Sequence, residues 1–322
     1  MPNYMVHKFS KNLNIWSISK LGCRYLSWIQ GLRTRPASIK MARQYNIRWA
    51  FNTKLWKPRE DQILDASSYI QTEEKERISR FCFQEDAKSS LIGRLMLRKF
   101  AHLSTLIPYD NLCLGRDKYG KPILLGTGES PISFNVSHQG DYVVLAGNSE
   151  VKVGVDTMKI EPPVNKDIKE FFRIMRRQFS NQEWETIYKF QTELEQIACF
   201  YRIWCLKESY VKNTGFGLST PLQDLNFSLK TLNLTVGEYV RDTELFEKGV
   251  LKDNWKFEET LLDDKHAVAV SLHINKDLEQ EPVPFSFLSF EELVKEAKPL
   301  NQPDFVFRDE FMKKQFKSFE TI

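Results

Sequence analysis

The segment Trp204-Cys205-Leu206-Lys207-Glu208-Ser209-Tyr210-Val211-Lys212 sets a carboxylate and an ammonium one helical turn apart, on a run that otherwise reads as buried helix. Positions 204, 208 and 212 recur every four residues, so Trp204, Glu208 and Lys212 share one stripe. A Glu four residues before a Lys is equally the pattern of a solvated surface pair, and alone it defines no site. Upstream, a lone Asp closes an apolar strand in Val151-Lys152-Val153-Gly154-Val155-Asp156. If strand-end Asp156 and helical Glu208 meet in space, they form a hard-oxygen site suited to magnesium and a phosphorylated substrate.

Two further stretches carry polar chemistry. Arg116-Asp117-Lys118-Tyr119-Gly120-Lys121-Pro122 is a tight turn bearing three cations. Gly120 permits the turn, and Pro122 opens the next strand without needing an N–H. The turn is either a solvated hairpin tip or a clamp that donates charge-assisted hydrogen bonds to phosphate oxygens. In Phe134-Asn135-Val136-Ser137-His138-Gln139-Gly140-Asp141-Tyr142, a strand enters a polar turn and a second apolar strand returns. Ser137, His138 and Gln139 offer several donors at one point, as a phosphate site requires. A Ser-His nucleophile is disfavoured, because adjacent residues of an extended segment point to opposite faces and no G-x-S-x-G elbow is present. The chain has no GxxxxGK[ST] phosphate loop, and Gly215-Phe216-Gly217 follows a helix, the wrong context for a dinucleotide fingerprint.

The elements that must position these residues follow from periodicity. From Ile47 onward the pattern is one α/β unit. It reads as a strand at 48–51, helices at 60–69, 72–81 and 86–103, then short strands at 112–116, 122–125, 133–137, 142–146 and 151–156. Strands so closely spaced pair as antiparallel hairpins rather than as a doubly wound sheet. After Asp156, Pro162-Pro163 breaks the pattern and marks a boundary between halves. The scheme then repeats, with helices at 168–178, 181–190 and 193–213 and strands at 224–228, 255–260 and 265–273. The expected architecture is a pseudo-duplicated α+β fold: an N-terminal half at 44–156, a C-terminal half at 157–275, and the site at the seam. Residues 276–322 read as an appended tail with one short amphipathic piece at 290–297.

Composition narrows the classes. The 322 residues are 42% hydrophobic and 27% charged, ordinary values for a globular protein. No apolar run approaches the roughly 18 residues of a bilayer span. Cysteines 23, 82, 113, 199 and 205 form no CxxC pair and no zinc-ligand spacing with the five histidines, which suits a reducing compartment. The net charge of +4 is carried by residues 1–43, which hold eight Lys/Arg and no acid; without them 38 basic residues face 42 acidic ones, a net of −4. That balance argues against a general nucleic-acid binder. Residues 1–43 have the composition of a mitochondrial transit peptide, or are an extension ahead of a second start at Met41.

Taken in order and spacing, Gly120-Lys121-Pro122, Asn135-Val136-Ser137-His138, Val153-Gly154-Val155-Asp156 and Trp204-Cys205-Leu206-Lys207-Glu208-Ser209 with Lys212 resemble the motifs of 4′-phosphopantetheinyl transferases of the large, surfactin-synthetase-activating type. Glu73-Glu74-Lys75-Glu76-Arg77, Gly93-Arg94-Leu95-Met96-Leu97-Arg98-Lys99 and Glu183-Trp184-Glu185-Thr186-Ile187 are similar to the animal members of that type. The resemblance spans about 47–275. It implies two pseudo-symmetric halves with coenzyme A in the cleft, transfer of phosphopantetheine to a carrier-protein serine, and release of 3′,5′-ADP. It further implies that Asp156 and Glu208 hold magnesium, that Lys212 neutralises charge beside them, and that Glu208 is the candidate base. The adenosine phosphates fall to Arg116, Asp117, Lys118, Tyr119, Gly120, Lys121, Asn135, Val136, Ser137 and His138, with Arg77 at the 3′-phosphate. The implied partners are apo carrier domains of fatty acid synthase, a mitochondrial carrier protein and aminoadipate-semialdehyde dehydrogenase-like enzymes. The implied state is a cytoplasmic monomer, mitochondrial if residues 1–43 act as a transit peptide. The alternative is a non-catalytic coenzyme A- or phosphate-binding module. In one place the chain departs from the pattern: many members carry a second acid two residues after the strand-end Asp, where this chain has Met158. A thioether is no ligand for a hard cation, so Gln139 or water must fill that position.

Overall fold

The computed structural model describes residues 45–126, 132–163, 167–215, 217, 221–274 and 281–317. The basic segment 1–43, read above as transit-like or as an extension, lies outside the described residues.

The first half opens with strand β1 (Asn46–Asn52), then helices α1 (Glu60–Ser68), α2 (Thr72–Ser79) and α3 (Gln84–Thr105). A small hairpin follows, β2 (Leu114–Arg116) with β3 (Pro122–Leu124), and then the longer hairpin β4 (Ser133–Gln139) with β5 (Tyr142–Asn148). Strand β6 (Lys152–Lys159) crosses into the second half, where α4 (Ile168–Met175), α5 (Asn181–Tyr188) and α6 (Glu193–Thr214) precede the remaining strands. These are β7 (Leu225–Ser228), β8 (Glu244–Glu247), β9 (Val250–Leu251), β10 (Trp255–Asp263) and β11 (His266–His273). The chain returns with β12 (Ser286–Phe287), α7 (Phe290–Val294) and α8 (Phe305–Met312).

Two sheets face each other. One has the order β12-β1-β5-β4 and the other β10-β11-β6, antiparallel throughout except for β12 beside β1. The period-two alternation of β5 explains the layering. Val143 and Leu145 pack beneath α3 with Leu91, Leu95 and Phe100, while Val144 and Ala146 face Val153, Val155, Val268 and Val270 between the sheets. On the far side, Ala267, Ala269 and Met158 pack against Phe200, Tyr201 and Trp204 of α6. The result is helix, sheet, sheet, helix, an α+β architecture of two halves joined along β4 and β6.

That joint carries no ladder between β4 and β6. Residues of one parity on β4 substitute for it: Ser133 Oγ accepts from the Val153 N–H at 3.0 Å, Asn135 Oδ1 from Val155 at 3.1 Å, and Gln139 Oε1 from Lys159. Buried backbone donors must find acceptors, and here polar side chains of one strand supply them to the other.

Two differences from the sequence reading have physical causes. The helix expected over 168–178 ends at Met175 and continues as a 3₁₀ turn (Arg176–Gln178), whose Arg176 carbonyl accepts from Trp184 Nε1 at 3.0 Å. Within the Pro- and Glu-rich stretch read as a tail, the described residues 281–317 fold back on the first half: Phe290, Leu293, Phe307 and Phe311 belong to the core beneath the first sheet. No described helix is long and apolar enough to cross a membrane.

Candidate active site

Strand β6 and helix α6 meet at Gly154. A Cβ there would lie 2.6 Å from the Asn213 amide nitrogen and closer still to the Ser209 carbonyl oxygen, so the helix backbone rests directly on the strand. The helix runs opposite to the strand. Asn213 Nδ2 donates to the Lys152 carbonyl at 3.0 Å, Ser209 lies at Gly154, and Cys205 Sγ reaches the Ala267 carbonyl, whose residue pairs with Met158. Glu208, beside Ser209, is buried in the same stretch of α6. Lys212, one turn later on its stripe, donates from Nζ to Asp156 Oδ1 at 2.6 Å and to the Val155 carbonyl at 3.2 Å. Ser137 Oγ donates to the same Oδ1 at 2.6 Å. Asp156 is fully buried and Glu208 nearly so, which rules out the solvated-pair alternative for the Glu208–Lys212 stripe. Capping holds the helix in register: Thr192 and Glu195 close its amino end reciprocally, and Gly215 closes the other at φ 75°.

Lys207, inside the same motif, does something else. Its ammonium is buried against Glu183 at 2.9 Å and donates to the Leu222 and Leu225 carbonyls, each at 2.8 Å, so it holds α5 and β7 to α6.

The β2–β3 hairpin links this pair to the first half. Asp117 Oδ1 accepts from the Tyr119 and Lys121 amides and closes the turn, with Gly120 at φ 85°. Lys121 Nζ crosses to donate to the Lys212 carbonyl at 3.0 Å, placing a cation at the carboxy-terminal end of α6 where its dipole favours one. Burial pushes the Lys121 ammonium below its ordinary pKa. Lys118 is exposed and lies over the Tyr119 ring.

At the other end of the hairpin, Arg116 Nη2 donates to both Glu74 oxygens, at 3.1 and 3.3 Å. Arg94 Nε reaches Glu74 at 3.2 Å, and Arg77 Nη1 lies 4.0 Å from it. Three guanidiniums thus converge on one carboxylate, leaving a local excess of two positive charges. Arg94 is buried, and its Nη1 has no hydrogen-bond partner among the described residues. Burial pushes the Arg94 guanidinium down to about 9, with Glu74 opposing the shift. Arg77 is lowered first by burial and then by the charge of Arg116. A surplus of fixed, partly desolvated cations is an anion cradle.

The residues singled out from sequence fall into three groups. Asp156 and Lys212 come together at the strand–helix contact, with Glu208 buried one turn before Lys212 on α6. Arg77 and Arg116 meet in the cradle, and Lys121 links the two places. Asn135, Ser137 and Gln139 lie on the joint, bonded to β6, while Val136 packs beneath the first sheet and His138 is exposed. The oxygen of Gln139, suggested above as a metal ligand, is engaged by the Lys159 amide. Met158 is buried with the α6 aromatics. Among the described residues, no group of three or more His, Cys, Asp or Glu side chains is gathered as a metal site. Sequence reasoning gave no role to Glu74 or Arg94. The available signal was an arginine set among Leu91, Ile92, Leu95 and Met96, where a charge is affordable only if paired.

The α+β fold of two halves thus carries an acid–amine pair at its joint and three guanidiniums gathered on Glu74 in the first half. A sequence model described as 4′-phosphopantetheinyl transferase, N-terminal, matches residues 54–150. That of the 4′-phosphopantetheinyl transferase superfamily matches 152–271. The chain belongs to this family of enzymes, which activate carrier proteins by transferring phosphopantetheine to them. It is 42% identical over 279 residues to the human L-aminoadipate-semialdehyde dehydrogenase-phosphopantetheinyl transferase, covering 82% of this chain and 90% of that one. The Xenopus laevis protein of the same name is 37% identical over 290 residues, covering 87% and 96%. The Bacillus subtilis 4′-phosphopantetheinyl transferase Sfp is 30% identical over 162 residues, covering 50% and 67%.

Proposed function

We propose that the phosphopantetheine donor is coenzyme A and that it lies along the β2–β3 hairpin. Its 3′-phosphate sits at Arg77, Arg94 and Arg116 and its diphosphate beside Lys212, Asp156 and Glu208. The observation that supports this placement is the hairpin itself, which bonds to the cradle through Arg116 and to the end of α6 through Lys121. One extended ligand can span both ends. Asp156 and Glu208 are two buried carboxylates on facing elements, a donor set that suits magnesium, which commonly takes one or two carboxylates and completes its shell with water and phosphate oxygens. Bound there, the ion would offset charge on the diphosphate. Lys212 orients Asp156 and adds a positive charge beside the leaving group. Glu208 accepts the proton of the attacking serine hydroxyl. The displaced product is 3′,5′-ADP. Incubation with coenzyme A, magnesium and an apo carrier protein, followed by weighing the carrier, tests this reading. A carrier whose mass stays unchanged across several carrier types overturns it.

The partners are carrier domains, including those of aminoadipate-semialdehyde dehydrogenase-like enzymes, fatty acid synthase and a mitochondrial carrier protein. Their docking face is α4 with the turn after it, where Arg173, Arg176 and Arg177 are exposed beside Ile174 and Tyr188. Positive charge around a small apolar patch suits an acidic partner. The protein acts as a cytoplasmic monomer, which fractionation and size-exclusion chromatography test directly.

A further inference from the structure

The cradle rides on a helix that cannot hold itself in place. Helix α2 has eight residues, far fewer than an isolated helix needs in water, and its N-cap Gln71 makes no capping side-chain bond. Its position must come from what packs on it. One face carries Glu74 and Arg77 toward the cradle. The other meets residues 300–317, which lie beyond both family matches.

These residues wrap the helix from end to end. Ahead of it, the Leu300 amide donates to the Ser68 carbonyl at 2.8 Å, Asn301 Nδ2 to the Ile70 carbonyl at 3.1 Å, and the Asp304 amide to Ser67 Oγ at 2.9 Å. Along it, Asp304 takes the nearly buried Lys75 ammonium at 2.8 Å, and Lys75 is the residue next to Glu74. Beneath it, Phe307 and Phe311 share the core with Ile78. Behind it, Lys314 Nζ donates to the Ser79 and Phe81 carbonyls at 2.8 and 2.7 Å, capping carbonyls at the helix exit, and the Gln315 carbonyl accepts from the Gln84 amide at 2.8 Å.

We propose that residues 300–317 are a positioning strap for α2, so that Asp304 and Lys314, which do not touch the cradle, set how well it discriminates for the 3′-phosphate of the donor. This rests on the placement of coenzyme A given above. Phosphate affinity depends on fixed donor geometry, and the cradle's loosest member, Arg77 at 4.0 Å from Glu74, stands on the strapped helix. Loosening α2 weakens binding at one remote end of the substrate, which raises KM and leaves kcat in place.

The test uses the full chain with Asp304→Asn, Lys314→Met, the two combined, and Asp304→Glu. KM and kcat are measured with coenzyme A and with dephospho-coenzyme A, which lacks the 3′-phosphate, and amide exchange is followed in α2 and α6. In the double variant the strap predicts that KM for coenzyme A rises about tenfold, equivalent to about 1.4 kcal/mol, with kcat and the dephospho-coenzyme A KM within twofold. Exchange should quicken in α2 and not in α6, and Asp304→Glu should keep wild-type preference. A double variant that prefers coenzyme A as strongly as wild type overturns the strap, whatever its melting temperature. Arg77→Ala is run alongside: if it loses preference while the strap variants keep it, only the strap fails, and if it too keeps preference, the cradle is not the 3′-phosphate site.

Discussion

Gly154→Ala is the sharpest perturbation of the catalytic geometry, because it changes no charge and removes no hydrogen bond. The added methyl would sit 2.6 Å from the Asn213 nitrogen and 2.9 Å from its Cβ, where ordinary contact begins at 3.4 Å. Both neighbours, and the nearer Ser209 carbonyl, belong to the backbone or first side-chain atom of α6, so no flexible tip can swing aside. Helix and strand must separate by roughly 0.8 Å at Asn213, the difference between 3.4 and 2.6 Å, and by more at the nearer Ser209 carbonyl. The contacts holding them together oppose this: Asn213 Nδ2 to the Lys152 and Ser271 carbonyls at 3.0 and 2.9 Å, and Ser271 Oγ to the Ser209 carbonyl at 2.8 Å. Overpacking of this kind costs about 1–3 kcal/mol. The same shift carries Lys212 away from Asp156, stretching a 2.6 Å contact toward 3.4 Å, and moves Glu208 with it. Misplacement by an ångström can cost about 10²-fold in rate, so turnover should fall at least about tenfold. Urea unfolding measures the first effect, and the rate of carrier modification at saturating coenzyme A measures the second. A Gly154→Ala protein with wild-type stability and turnover would refute the close packing on which the site rests.

Glu208→Gln should lower turnover by about 10²-fold or more while folding normally, because it removes a charge aimed at the reaction rather than a packing group; near-normal kcat would remove Glu208 from the mechanism. Arg48, buried on β1, pairs with Glu258 of β10 at 3.0 Å and so ties the two sheets together. Arg48→Met should cost about 3 kcal/mol in urea unfolding, because among the described residues the carboxylate left behind keeps only Arg241, at 3.7 Å; an unchanged midpoint would show that Arg241 suffices. Burial lowers Lys88 from 10.5 to about 8, where its ammonium donates to the Trp56 carbonyl at 2.6 Å. The folded state then releases this proton near pH 8 while the unfolded chain keeps it to about 10.5. The unfolded state binds more protons in that window, so Lys88 makes stability rise with pH across it. Lys88→Met should abolish that increment, and a stability difference from wild type that stays constant from pH 7 to 10 would contradict the assignment. Arg173→Glu/Arg177→Glu should slow carrier association and flatten its salt dependence with coenzyme A affinity unchanged; unaltered carrier affinity at low salt would exclude α4 as the docking face.

Much of the site could be read from local pattern. The four-residue spacing of Glu208 and Lys212 survives in the helix because spacing dictates the shared stripe, and the apolar run before Asp156 becomes the strand that presents it. The hairpin turn at Asp117 and Gly120 was equally legible, since turn chemistry is local. What the sequence could not determine is which partner each polar group would find, because that depends on residues brought together from distant positions. Ser137 and Gln139 looked like ligand donors on a strand end, and the tertiary structure bonds both to β6: Gln139, like Asn135, accepts from an edge amide, and Ser137 donates to Asp156. Lys207 sits one residue from Glu208 in the motif yet points a quarter turn away and is committed to Glu183. Glu74 and Arg94, from two different helices, acquire meaning only when Arg116 arrives between them. The Pro- and Glu-rich stretch after 276 showed weak periodicity and so read as a tail; its Phe307 and Phe311 fill space beneath a helix more than two hundred positions earlier. Local periodicity reports which face a residue occupies, whereas the competition of buried donors and acceptors for one another is settled only once the halves close.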